Sequence, residues 1–311
     1  NIADKVPDRK LIRTMVSESF PLLLNHFLAT IFFQIDIVIL QAIKGAVIVA
    51  QYSTAYKWLL AINIVPAFFT QALFPVMSRQ AKEDVPALTR TFTFGIKLLF
   101  AMSLPIAVSF TVLAEPLTLV LGGAQYVPNG VIALQLMIWS IPIGWMNSLT
   151  QYVLIAVGLQ RMITRAFVLA VTFNIVVNII FIPQYNFQAA ALATIASEIV
   201  LFLPFIYLLK GKLGEFSMFG LLWRPVVAVM AMVLILVLWD AQPLPSLVAG
   251  TIVYVVALIF LHPLDYAELD QILKILPERF KHSPLVLAIL GDKRKAMVKP
   301  YQKWEHPSDE E

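Results

Sequence analysis

Residues 162–209 read MITRAFVLAVTFNIVVNIIFIPQYNFQAAALATIASEIVLFLPFIYLL. Two long apolar runs, 162–183 and 189–209, flank a short break at 183–188. Each run has the roughly 20 residues that a helix needs to cross a bilayer. Neither shows the short alternating segments, about 10 residues long, of a membrane barrel. Backbone groups in lipid must be satisfied within the segment, and a long unbroken run does so only as a helix. The stretch therefore reads as two consecutive membrane-spanning helices joined by a tight connection.

Working outward, six more apolar runs occur at 15–40, 46–78, 92–114, 130–157, 220–239 and 245–262. The expected fold class is an all-α polytopic membrane helix bundle of about eight spans. The composition agrees. Of 311 residues, 59% are hydrophobic and 14% charged, and mean hydropathy is +0.81. Soluble domains sit near about 45–50% apolar and about 25% charged. A soluble enzyme, a nucleic-acid binder and a disordered chain are excluded on this ground. With no cysteine there is no disulfide, no thiolate nucleophile and no Cys-ligated zinc. Asn1 stands where Met would open a chain, and no signal-peptide pattern follows, so the start reads as a fragment edge or a processing point.

The net charge of +4 reports topology rather than a nucleic-acid partner. With the N-terminus in the cytoplasm, all but Lys44 and Lys57 of the 23 lysines and arginines fall on the inner side. The outer connections near 115–130, 183–188 and 240–245 carry none. This is the positive-inside asymmetry, and inverting the chain would reverse it. Eight spans return the C-terminus to the cytoplasm. Residues 1–14 are a cytoplasmic lead-in. Residues 263–280 have Leu269, Ile272, Leu273 and Leu276 on one face, as a surface helix would, before a charged tail.

Polar groups inside spans are the functional lead, because ionisable side chains at depth are costly and usually face a cavity or a partner. Asp36 lies nine residues before the turn near Gly45, and Lys57 lies twelve after it. Antiparallel neighbours would hold them at similar depth, as an ion pair or on a shared cavity wall. Lys57 also suits an anionic head group. Asn25 shares the Asp36 face, and His26 beside it reads as packing. Asn174 and Asn178 share a face at i, i+4, either lining a cavity or bonding between helices. Thr194, Ser197 and Glu198 cluster on the sixth span, with Glu198 read toward a cavity. Prolines at positions 21, 66, 75, 105, 142 and 204 point to a bending bundle. Motifs for nucleotide binding, zinc hydrolysis or a nucleophilic serine are absent, so the chain does not read as an enzyme, and no cofactor or metal is expected.

Several segments carry a family likeness, in order. SESFPLLLNHFLATIFFQIDIVIL has an early Pro21 and an outer-half Asp36. AQYSTAYKWLL has Tyr52, Ala55 and Lys57, and ALFPVMSRQ has Phe74, Pro75 and Ser78. LGGAQYVPNGVIALQLMIW has Gly123 and Tyr126. IPQYNFQAAALATIASE has Ala190, Ala191, Thr194 and Glu198. The set resembles the C-terminal half of the polysaccharide transporter family, the O-antigen-type oligosaccharide flippases of the multidrug/oligosaccharidyl-lipid/polysaccharide exporter superfamily. Asn186, Ala189 and the alanine before Gln51 stand where glycines are usual. Asn186 is a mild departure, since Asn tolerates left-handed backbone.

The resemblance implies a six-helix lobe over 15–212, two further spans over 213–262 and a cytoplasmic helix and tail over 263–311. It implies a missing N-terminal six-helix lobe as partner. Two such lobes rock to carry a polyprenyl-(pyro)phosphate-linked oligosaccharide across the cytoplasmic membrane for cell-surface polysaccharide synthesis. Membrane lipids are then partners, and nucleic acid is not. Candidate cavity residues are Lys57, Asp36, Asn174, Asn178 and Glu198, with Lys57 for phosphate. Lys97 and Arg165 are weaker phosphate candidates, since both sit where side chains snorkel. Alternatives are a cation-coupled multidrug exporter, a lipid II flippase with more basic cavity residues, and a membrane glycan polymerase or ligase. The short outer loops argue against the last.

The charge asymmetry predicts the topology directly. A reporter that matures only outside the cytoplasm, fused after Gln125, should be active, and fused after Lys212 inactive. The reverse pattern would refute the assigned direction.

Overall fold

The computed structural model describes residues 9–239 and 243–261. Among them are ten α-helices, two short 3₁₀ turns and no strand. They are α1 (Arg9–Lys44), α2 (Ala46–Ile62), α3 (Ile64–Glu83), α4 (Val85–Val112), α5 (Ala114–Gly122), α6 (Asn129–Met137), α7 (Ile141–Ala156), α8 (Gln160–Leu213), α9 (Met218–Leu238) and α10 (Pro243–Leu261). The surface helix and tail read at 263–311, and the lead-in at 1–8, lie outside the described residues.

Seven helical segments are long and apolar enough to cross a membrane, so the protein is a multi-pass membrane protein. The longest, 54 residues, would be about 80 Å as one straight helix. That far exceeds a hydrocarbon core of about 30 Å. Asn186 breaks it, with φ 58° and ψ −146°. The two halves of α8 then match the runs 162–183 and 189–209, so the seven segments leave room for the eight expected crossings. The sequence reading of Asn186 needs one correction. Its φ is positive, as in left-handed backbone, but its ψ lies in a region that essentially only glycine occupies. Its buried side-chain oxygen has no hydrogen-bond partner.

Other crossings are also composite. The run 46–78 is α2 and α3, joined at Asn63 with Pro66 in the first turn of α3. The run 130–157 is α6 and α7, joined by a 3₁₀ turn with Pro142 opening α7. These two prolines start helices, where a missing N–H costs little. Pro75, Pro105 and Pro204 do lie inside helices.

α1 runs along both halves of α8. Phe32 meets Phe167 edge to face at 6.0 Å, and Phe167 meets Phe205 likewise. Polar ties lie near both ends. Asn25 donates to the Gln160 carbonyl at 3.1 Å, and the Thr164 hydroxyl donates to Asn25 Oδ1 at 2.6 Å. The Lys44 ammonium donates to the Pro183 carbonyl at 2.9 Å. In lipid such bonds, and the packing around them, associate helices that no hydrophobic force drives together. α9 and α10 form a hairpin against α4. Gly250 brings α10 close to α9, since a Cβ there would lie 3.3 Å from the Met232 carbonyl oxygen.

Relieving the backbone at Asn186 should stabilise the bundle. Asn186→Gly is expected to raise stability by about 1–2 kcal/mol, and Asn186→Val to lower it by a similar amount. Thermal unfolding in one detergent reads both changes.

Candidate functional site

Asp36 and Glu198 are 2% and 3% exposed, inside a bundle meant for lipid. Among the described residues neither makes an ion pair, so hydrogen bonds must compensate their desolvation. Asp36 faces inward from α1 because it shares a stripe with Asn25, Phe32 and Leu40, all buried. The Tyr52 hydroxyl donates to Asp36 Oδ2 at 2.5 Å, and the Ile37 amide donates to Oδ1 at 2.8 Å. The Thr194 hydroxyl reaches Oδ2 at 3.4 Å from the second half of α8. One carboxylate thus links α1, α2 and α8.

Glu198 lies one turn beyond Thr194. Asn147 of α7 holds it twice, donating to Oε2 at 2.7 Å and to the Glu198 carbonyl at 2.9 Å. Oε1 accepts no hydrogen bond among the described residues. Gly144 makes room for it, since a Cβ there would lie 3.1 Å from Oε1. Gly144 and Glu198 line a cavity of about 380 Å³ bounded by α1, α2–α3, α7 and the second half of α8, whereas Asp36, expected in a cavity, is not on its wall because its oxygens are turned to Tyr52 and the Ile37 amide. The wall is mostly apolar, with polar positions at Gln34, Tyr56, Asn63, Ser140, Ser148 and Thr194. Asn63, at the α2–α3 break, is fixed by the Trp145 indole N–H at 3.0 Å.

The other candidates lie elsewhere. Lys57 is exposed on α2 and pairs neither with Asp36 nor with the cavity wall. The anticipated Asp36–Lys57 pair is replaced by Asp36–Tyr52. The helical twist explains this, because Tyr52 and Tyr56 occupy the buried face and Lys57 is turned about 100° from Tyr56. Asn174 and Asn178 are buried and serve helix contacts. Asn174 donates to the Ser197 hydroxyl at 2.9 Å, and Asn178 donates to the Asn174 carbonyl and side-chain oxygen. His26 is exposed rather than packed. Lys97 is buried in α4 and does not line the cavity, and Arg165 is exposed. Sequence reading missed Asn147 and Gly144. The spacing Gly144-x-x-Asn147 on one helical face was the available signal. No group of three His, Cys, Asp or Glu side chains able to hold a metal occurs among the described residues.

The described residues thus form a helical membrane bundle enclosing a cavity with polar groups on its wall, a class that comparison with known proteins narrows. Residues 2–80 match the family model described as polysaccharide biosynthesis protein. The chain is 24% identical over 226 residues to the uncharacterized membrane protein MJ1068 of Methanocaldococcus jannaschii. That match covers 71% of this chain and 44% of the relative. The fold resembles a solved structure of the lipid II flippase MurJ in an inward closed conformation, with a TM-score of 0.66 at 17% identity. It covers 82% of this chain and 56% of the flippase. The chain thus spans about half the length of these relatives. The family match thus rests on the first quarter of the chain, and the fold is that of the flippase structure.

Removing the Tyr52 hydroxyl leaves a buried carboxylate short of a donor. Tyr52→Phe should destabilise by about 1–3 kcal/mol. Thermal unfolding measures it, and Lys57→Ala, touching no buried partner, should change stability by less than about 0.5 kcal/mol.

Proposed function

We propose that the chain is the C-terminal lobe (15–212) and two following helices (213–262) of a transporter. It flips a polyprenyl-(pyro)phosphate-linked oligosaccharide across the cytoplasmic membrane by alternating access, for cell-surface polysaccharide synthesis. On this reading the protein is not an enzyme, both termini of the chain are cytoplasmic, and an N-terminal six-helix lobe is the partner. The observation that carries the reading is the cavity beside the buried Glu198, in a bundle whose fold is that of a flippase. A purely structural bundle has no use for a buried carboxylate that opens on a cavity.

Lys57 supports the same reading from outside the cavity. It lies twelve residues past Gly45, about 18 Å into the span. A cation there costs about 2.5–3.5 kcal/mol or more against hydrocarbon. The exposed face of α2 therefore suits water, the partner lobe or a substrate phosphate better than lipid tails. Asp36 orders the wall behind it through Tyr52, while Asn174, braced by Asn178, ties the two halves of α8 together through Ser197. The likeness to a flippase of lipid II favours a second substrate reading, with that lipid-linked unit in place of an O-antigen-type glycan.

The test is transport by the whole protein in proteoliposomes carrying a fluorescent polyprenyl-pyrophosphate oligosaccharide. Lys57→Ala should slow flipping about tenfold or more, the scale of one lost charged hydrogen bond, while Lys82→Ala stays within about twofold. Parent-like flipping by both Lys57→Ala and Glu198→Gln would overturn the reading.

A further inference from the structure

Several groups on the cavity wall present hydrogen-bond acceptors to the space. A hydroxyl carries one donor and two acceptor sites. Three hydroxyls on this wall already spend their hydrogens on backbone carbonyls. Thr30 donates to His26 at 2.9 Å, Tyr56 to Phe33 and Ser140 to Met137 at 2.7 Å. Their oxygens therefore meet the cavity as acceptors. Glu198 Oε1 adds a further acceptor, 97% buried with its residue and unclaimed by any donor among the described residues. No lysine or arginine lines the space. The rings of Phe33 and Tyr56 also line it, and aromatic faces attract cations. At about 380 Å³ the cavity falls in the size range of small-molecule sites, larger than a bare metal ion requires.

We infer that this cavity binds a protonated primary amine, whose ammonium group is held by Glu198 Oε1 and the surrounding hydroxyl oxygens. An ammonium offers three donors and no acceptor, which suits these oxygens, while the side-chain amides of Gln34 and Asn63 and the Ser148 hydroxyl are donors for a ligand's other polar groups. The amine has two possible sources, an amino sugar of the transported glycan or a free small organic amine. The ammonium site stands on the cavity alone. Its delivery by a glycan rests on the proposed flippase function.

The test is calorimetric binding of glucosamine, N-acetylglucosamine and ethanolamine to the full chain in nanodiscs, which requires no flipping. Glucosamine should bind about tenfold or more tighter than N-acetylglucosamine, which has the ring but no charge. Glu198→Gln, which keeps an acceptor for Asn147, should erase that preference. Gly144→Ala should weaken glucosamine binding too, since its Cβ would crowd Oε1. Ethanolamine weaker than glucosamine supports the glycan as source. Ethanolamine as tight as glucosamine supports the ammonium site and overturns its delivery by a glycan. No amine preference, or a preference that survives Glu198→Gln, overturns the site itself, and leaves the transport test above unaffected.

Discussion

A carboxylate inside a membrane bundle has no water to fall back on. Asp36 and Glu198 are both nearly sealed, and among the described residues neither has a counter-cation. The fold answers this with hydrogen-bond donors drawn from different helices. Tyr52, the Ile37 amide and Thr194 serve Asp36, and Asn147 serves Glu198. These bonds connect α1, α2, α7 and the second half of α8, which are the elements that enclose the cavity. Where hydrophobic force does not distinguish a helix neighbour from a lipid tail, such polar links carry much of the specificity of packing. Asp36 is fully engaged, whereas Glu198 keeps one oxygen toward the cavity. The two carboxylates therefore divide the work, one structural and one available to a ligand.

Backbone breaks complete the cavity. Asn186 folds α8 back so that its second half presents Thr194 and Glu198. Asn63 bends the α2–α3 crossing so that both sides of the bend reach the same space, and its side chain is pinned by Trp145. Gly144 withholds a side chain where the Glu198 carboxylate sits. Each feature is locally unfavourable or neutral, and each is explained by the space it shapes. Lys57 belongs to a different surface, the exposed face of α2, so the cavity and this cation are separate parts of one bundle.

Much of this was legible in the sequence. Long apolar runs forced helices, and the break at 183–188 separated two crossings that form one continuous helical assignment. The inward placement of Asp36 and Glu198 followed from the cost of burying charge in lipid. Pairings were less legible. Asp36 and Lys57 had matching depth, but depth says nothing about helix rotation, and rotation turned Tyr52 inward and Lys57 outward. Asn174 and Asn178 shared a face as expected, yet which helix that face meets is a tertiary fact. Asn147 and Gly144 are ordinary residues in an apolar run, and only the position of α8 gives them a role.

The central claim is that a water-reachable cavity with polar groups on its wall lies within this bundle at membrane depth. Because the chain has no cysteine, single substitutions test it cleanly. Ser148→Cys lines the cavity, and Ile179→Cys sits on the exposed apolar surface of α8. The measurement is the rate of modification by a charged, membrane-impermeant methanethiosulfonate in reconstituted bilayers. The account predicts rapid modification of Ser148→Cys and almost none of Ile179→Cys. Equal protection of both would contradict it.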